Sequence, residues 1–211
     1  MTLRSQDRFV TLEGGDGAGK STALAALRQF LVSRGFDVVS TREPGGTVLA
    51  EQIRGLLLDT QHEPPTPETE LLLMFAARAQ HVREVILPAL ERGAWVISDR
   101  FTDSSYAYQG AGRGLDAAFI SDLEHSVVGI EPALTLLLDI GVAHGRERSR
   151  GRDLHPDRIE RERDEFFERV RQGFLDRARA HPGRIRVVDA TQPIEAVAAQ
   201  AVAFLAQRLD A

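Results

Sequence analysis

The sequence predicts an α/β fold built on a parallel sheet with helices on both faces, and three observations carry that prediction. Short apolar runs recur along the chain, each rich in Val, Ile or Leu; helix-like segments separate them; and a glycine-rich loop follows the first run and opens a helix. With 211 residues, 43% of them hydrophobic and 27% charged, the chain is long enough for one large domain, 1–211, with a substantial interior.

The expected strands are FVTLE (9–13), DVVST (37–41), WVISD (95–99), LTLLLD (134–139) and IRVVD (185–189), five in all. Runs this short and this apolar mark strands covered on both faces. Helices are expected over 22–33, 48–58, 68–91, 117–128, 158–180 and 194–209. Pro67 suits a first turn, Gly93 follows the end of the third helix, and Pro88 predicts a kink in its last turn. GRERSRGRDLHPDR (145–158) is the most irregular stretch and reads as an insertion. No internal repeat or low-complexity tract interrupts this plan.

Several function classes fall away on composition. The chain has no cysteine, which excludes disulfides, thiolate chemistry and cysteine-based zinc sites, and its six histidines lack HExxH spacing. No stretch approaches the ~20 apolar residues of a membrane span, and the amino terminus has no long apolar h-region. A cytoplasmic protein with no membrane partner is expected. A net charge of -5 disfavours sequence-independent nucleic-acid binding, so small anionic ligands are expected rather than a polymer.

Lys20 is the only lysine, against 25 arginines. It belongs to Gly14-x-x-x-x-Gly19-Lys20-Ser21, which follows a strand and precedes a helix, the context of a P-loop. In such a loop the backbone of Gly14, Gly15, Asp16, Gly17, Ala18 and Gly19, with Lys20, Ser21 and Thr22 at the helix start, cradles the phosphates of a nucleoside triphosphate. A compact ammonium fits that cradle where a broad guanidinium does not, so Lys20 is assigned to the β- and γ-phosphates and Ser21 to magnesium. The guanine-reading NKxD motif is absent because the chain has no asparagine. Asp99-Arg100 closes the third run at the carboxyl edge of the sheet, where Asp99 can organise Mg2+, directly or through water, and Arg100 can clamp a phosphate. The arginines of 145–157 suit a short lid that covers transferring phosphates and excludes water.

EGGDGAGKST (13–22), TREPGGT (41–47), TELLLMFAARAQHV (69–82), SDRFTDSSYAYQGAGRG (98–114), DRIE (157–160) and VVDATQPIEAV (187–197) together resemble the bacterial thymidylate kinases, a family of P-loop nucleoside monophosphate kinases. The resemblance runs nearly end to end. It implies transfer of the γ-phosphoryl of ATP to dTMP, magnesium, and a homodimer. It also implies that Arg100, with Arg42, holds the 5′-phosphate of dTMP and that Asp16 meets the sugar 3′-hydroxyl. Arg78 and Ser105 are expected to read the thymine edge, and Tyr108 to crowd the 2′ side with Gln109 alongside. Where the family carries an aromatic residue over the base, this chain has Met74, with Phe75 next to it, and either can cover the thymine. Because Gly15 to Ala18 include no arginine, the resemblance assigns the catalytic arginine to the lid, Arg150 first, then Arg146 and Arg148. Arg158 would close the lid on a carboxylate or a phosphate, and DATQP, with Gln192, would border the adenine.

Overall fold

The computed structural model describes residues 5–61, 63–149 and 157–209. One sheet contains β1 Phe9–Glu13, β2 Val38–Arg42, β3 Trp95–Asp99, β4 Leu134–Asp139 and β5 Ile185–Asp189. Its order is β2-β3-β1-β4-β5, and every pairing is parallel. The strands fall on the five apolar runs, with β2 one residue later than expected. Pleating sorts their side chains: Val10, Leu12, Trp95 and Ile97 enter one core while Phe9 and Val96 enter another.

The chain leaves β1 to build β2 and β3 on one side, then crosses to β4 and β5 on the other. Strand order therefore reverses at β1, and ligands of open parallel sheets bind at the carboxyl ends beside such a reversal. Leu12 pairs with Asp99 of β3, and Glu13 with Leu137 of β4, so both neighbours flank the loop that leaves β1.

On one face α1 Lys20–Ser33 packs against α9 Ile194–Leu209, burying Leu27, Leu31 and Leu205 over the sheet. On the other, α3 Pro67–His81 and the segment after it close over Phe9 and Phe101, whose rings meet edge to face at 4.9 Å. α2 Val48–Leu58 lies along α3. A third cluster forms where α8 Asp164–Ala180 sets Phe166, Val170 and Phe174 against Tyr108.

Besides α1, which starts at Lys20 rather than residue 22, the helices depart from expectation in five places. The span 68–91 comprises α3, a π-helical turn Val82–Ile86 and α4 Leu87–Glu91, with Pro88 in the first turn of α4. A missing N–H is tolerated there, so the irregularity lies before Pro88 rather than after it. The span 117–128 divides into α6 Ala117–Leu123 and a π-helical turn Glu124–Val128, closed by Gly129. The helix expected from 158 starts at Asp164, because the Asp157 carboxylate accepts the N–H groups of Ile159 and Glu160 while the Arg158 N–H donates to the Leu58 carbonyl. Two helices were not expected. α5 Thr102–Ser105 runs on as π-helical turns Tyr106–Gly112, and α7 Val142–Ser149 occupies the start of the stretch read as an irregular lid.

Asp103 ties this frame together from α5. It accepts hydrogen bonds from Arg177 Nε at 2.9 Å and from Arg184 Nη1 at 2.7 Å, and Arg184 also donates to Thr135 Oγ1 of β4. Burial opposes the Asp103 charge, but the two guanidinium groups outweigh it and hold the carboxyl below its ordinary pKa. Asp103→Ala is expected to cost on the order of 3 kcal/mol, since two largely buried cations lose their carboxylate. Urea denaturation measures this, and an unchanged midpoint would show that the cluster is not structural.

Candidate active site at the carboxyl edge

Residues 14–19 lead from the buried end of β1 into α1. Gly14 at φ 130° and Gly17 at φ 78° take backbone conformations that side chains disfavour. A Cβ on Gly14 would stand 2.3 Å from the Leu138 carbonyl oxygen, and one on Gly17 would stand 2.1 Å from that of Gly145. The loop is thus wedged between β4 and α7. Ala18 turns inward into the core, while Ser21 and Thr22 are exposed at the start of α1. Lys20 Nζ donates to the carbonyls of Gly14 at 3.1 Å and Gly15 at 3.0 Å, and lies 4.0 Å from the Asp16 carboxylate. Burial and the Arg100 guanidinium lower its pKa, opposed by Asp99, Asp16 and Glu13.

Arg100 is the one described residue other than glycine with positive φ, 71°. Its N–H donates to the Leu12 carbonyl and its own carbonyl accepts from Ser98 Oγ, each at 2.8 Å. Its guanidinium lies over the Tyr108 ring at 5.0 Å and reaches Ser104 Oγ and the Asp16 carboxylate, each at 3.3 Å. Burial disfavours this charge, but Tyr108, Asp16, Asp99 and Glu13 outweigh it and raise the pKa. Burial also pushes the Tyr108 phenol up to about 12, so it remains protonated.

Below Arg100 lies Glu13, which the sequence reading did not single out. It is 0% exposed, and burial, then the neighbouring Asp103, raise its pKa to about 7 against the pull of Arg100, Ser104 and Phe101. The available signal was a carboxylate ending an otherwise apolar strand, FVTLE.

Arg78 and Ser105 meet directly, with Arg78 Nη1 donating to Ser105 Oγ at 3.0 Å. Arg78 is only 2% exposed; it also donates to Glu43 at 2.6 Å and to the Phe101 carbonyl at 3.1 Å, and it covers the Phe75 ring at 4.7 Å. Phe75 belongs to the core on that face, and Met74 is buried beside it. Gln109 donates to Glu70 at 2.8 Å, and Glu70 also accepts from Arg113 and Arg158. Burial alone would raise Glu70, but these donors hold its pKa below the ordinary value. Arg158 therefore meets the Glu70 carboxylate. Arg42 is more exposed, and its Nη2 donates to both carboxylate oxygens of Glu51, at 2.9 and 3.2 Å.

The arginines of α7 diverge. Arg146 donates to the Glu162 carbonyl at 2.6 Å, pairs with Asp164 at 2.9 Å and lies over Phe167. Arg148 points elsewhere, donating to the carbonyls of Ala190 at 2.6 Å, Thr191 at 3.1 Å and Gln192 at 3.3 Å. Its guanidinium thus meets the loop after β5. The Gln192 side chain turns to Asp189. Arg150 lies outside the described residues.

One cavity of about 620 Å³ unites much of this. Its lining includes Gly14, Gly15, Asp16, Gly17, Gly19, Lys20, Ser21, Arg42, Asp99, Arg100 and Arg146, together with Glu43, Asp139 and Arg171, which the sequence reading omitted. Arg171 pairs bidentately with Asp139 at 2.8 and 3.0 Å. Met74, Phe75, Arg78, Ser105, Tyr108, Gln109, Thr22, Ala18, Arg148 and Gln192 are not among its lining residues.

A protein-family model described as Thymidylate kinase matches residues 12–201. Curated relatives bearing the name thymidylate kinase include one from Alkalilimnicola ehrlichii, 57% identical over 92% of this chain and 89% of its own length. Another, from Chromohalobacter salexigens, is 55% identical over 96% of both chains. Among solved structures, that of thymidylate kinase from Ehrlichia chaffeensis is similar with a TM-score of 0.78 and 33% identity, covering 97% of this chain and 100% of that one.

The raised pKa of Glu13 gives stability a definite pH dependence. Folding makes this acid hold its proton more tightly, so its contribution is full below the ordinary pKa of 4.5 and is lost as pH rises through about 7. Glu13→Gln cannot titrate. Thermal-unfolding midpoints of the two proteins, measured from pH 4.5 to 8, should therefore diverge across that window, with the steeper decline in the wild type. Parallel profiles would show that Glu13 titrates normally.

Proposed function

The chain belongs to the thymidylate kinase family, and from that premise we propose that its cavity transfers the γ-phosphoryl group of ATP to the 5′-phosphate of dTMP, giving dTDP and ADP. The observation that carries this reading is the meeting of Lys20 and Arg100 in one cavity. Lys20, a compact charge at the root of the wedged loop, suits the β- and γ-phosphates of the donor. Arg100 offers a planar fork to the acceptor phosphate, with Arg42 as a second cation. The attacking group is already an anionic phosphate oxygen, so positioning and charge neutralisation carry most of the catalysis and no general base is required.

Magnesium fits the donor side. Asp99 Oδ1 is buried without a hydrogen-bond partner among the described residues, and Ser21 lines the same cavity. Those two residues would hold the ion, which when bound neutralises charge on the phosphates. On the acceptor side, the Arg78–Ser105 hydrogen bond supports their joint assignment to the thymine edge. Asp16 takes the 3′-hydroxyl, Tyr108 with Gln109 the sugar, and Met74 or Phe75 the base. Residues 145–157 act as a lid within a single domain, with Arg150 as first choice for the catalytic arginine and Arg146 and Arg148 next. Contact of α7 with the phosphate loop through Gly17 and Gly145 supports the lid assignment. Arg148 also bonds the 190–192 loop, which is assigned to the border of the adenine.

A homodimer is supported by Leu49 and Leu56 of α2 and Leu72 of α3, large apolar side chains exposed on a packed helix pair. No helix among the described residues is long and apolar enough to cross a membrane, and the cytoplasm is the proposed location.

ADP release with ATP and magnesium should require dTMP and proceed more slowly with dUMP, dCMP or dGMP. Preference for another acceptor would point to a kinase of different specificity, and ADP release without any acceptor to an ATP-responsive regulatory module. Lys20→Ala should lower kcat by at least ~100-fold with an unchanged circular-dichroism spectrum. Near-normal turnover would remove the donor role of Lys20.

A further inference from the structure

We propose that Glu13 is a positioning residue for the acceptor phosphate, holding Arg100 in its turn from both the backbone side and the guanidinium side. The inference rests on the reading of Arg100 as the acceptor clamp. Glu13 itself is fully buried and is not among the cavity-lining residues, so it acts through its neighbours.

A left-handed backbone at a residue bearing a Cβ persists only where the surroundings enforce it. Two enforcing contacts come from the Leu12 carbonyl and Ser98 Oγ. The next N–H along the chain, that of Phe101, donates to Glu13 Oε1 at 2.8 Å, and the Ser104 N–H approaches the same oxygen at 3.3 Å. The turn at Arg100 is therefore pinned on both sides: Leu12 holds the peptide before it, and Ser98 and Glu13 share the peptide after it, at its carbonyl and its N–H.

The second oxygen governs the tip. Ser104 Oγ donates to Glu13 Oε2 at 2.6 Å, and Arg100 Nη1 donates to Ser104 Oγ at 3.3 Å. A hydroxyl has one hydrogen. Where Glu13 is ionised that hydrogen goes to its carboxylate, and the lone pairs of Ser104 Oγ face the guanidinium and accept from it. One carboxyl thus fixes where the Arg100 backbone turns and where its charged end points.

This accounts for an acidic residue at the end of a wholly buried strand. An unpartnered carboxyl is unfavourable there, but three donors match its two oxygens. A purely structural role would predict loss of stability without selectivity between substrates.

The test compares wild type, Glu13→Gln and Ser104→Ala by steady-state kinetics, varying dTMP and ATP separately, with thermal midpoints recorded alongside. Ser104→Ala leaves both backbone bonds of Glu13 in place and removes only the link to the guanidinium. Both variants should raise the KM for dTMP by roughly tenfold while the KM for ATP stays within about twofold. An unchanged KM for dTMP in Ser104→Ala, or an equal rise for both substrates, overturns the proposal. Wild-type ADP release that does not depend on dTMP would instead sink the reading of Arg100, and the inference with it.

Discussion

Backbone packs against backbone around residues 14 to 17, and the geometry of the site depends on that contact. The Leu138 carbonyl occupies the space of a Cβ on Gly14, and the Gly145 carbonyl that of a Cβ on Gly17. The first contact fixes the phosphate loop to β4; the second fixes α7 to the loop. Glu13, one residue upstream, bonds the chain that leaves β3. The loop is therefore anchored to both neighbours of β1, at the place where the strand order reverses. Lys20 inherits its position from those anchors, and the cavity lies between them.

Arginine, by contrast, serves the buried carboxylates of the frame. Glu43 receives Arg78 and lies 2.9 Å from His81 Nδ1; Glu70 receives Arg113, Arg158 and Gln109; Asp103 receives Arg177 and Arg184. Each is a buried carboxylate met by planar, multiply donating partners, which is what a guanidinium provides and an ammonium does not. Lys20 instead bonds carbonyl oxygens of its own loop, where the loop's curl leaves room for a point charge. Its solitary status in the sequence reflects that difference in surroundings.

The sheet was legible because strands covered on both faces must be apolar throughout, and the phosphate loop because its glycines follow such a strand. α5 and its continuation to Gly112 were not legible. TDSSYAYQGAG has weak intrinsic helix preference, and its helix is enforced from outside, by Glu13 at its start and α8 along its length. α7 was hidden by its charge density. Read as an irregular lid, RxRxR suggests interchangeable cations, yet on a helix residues two apart point about 200° away from each other. That rotation sends Arg146 toward Asp164 and Arg148 toward 190–192. Glu13, Glu43 and Glu70 escaped notice because their partners lie far away in sequence.

The central claim is that the terminal phosphoryl group moves to dTMP rather than to water. Following ATP radiolabelled at its γ-phosphorus measures this most directly, with dTMP present and the products separated by chromatography and counted. Label appearing as the β-phosphorus of dTDP, in step with ADP, is the expected outcome. Label accumulating as inorganic phosphate, with dTMP unconsumed, would contradict it.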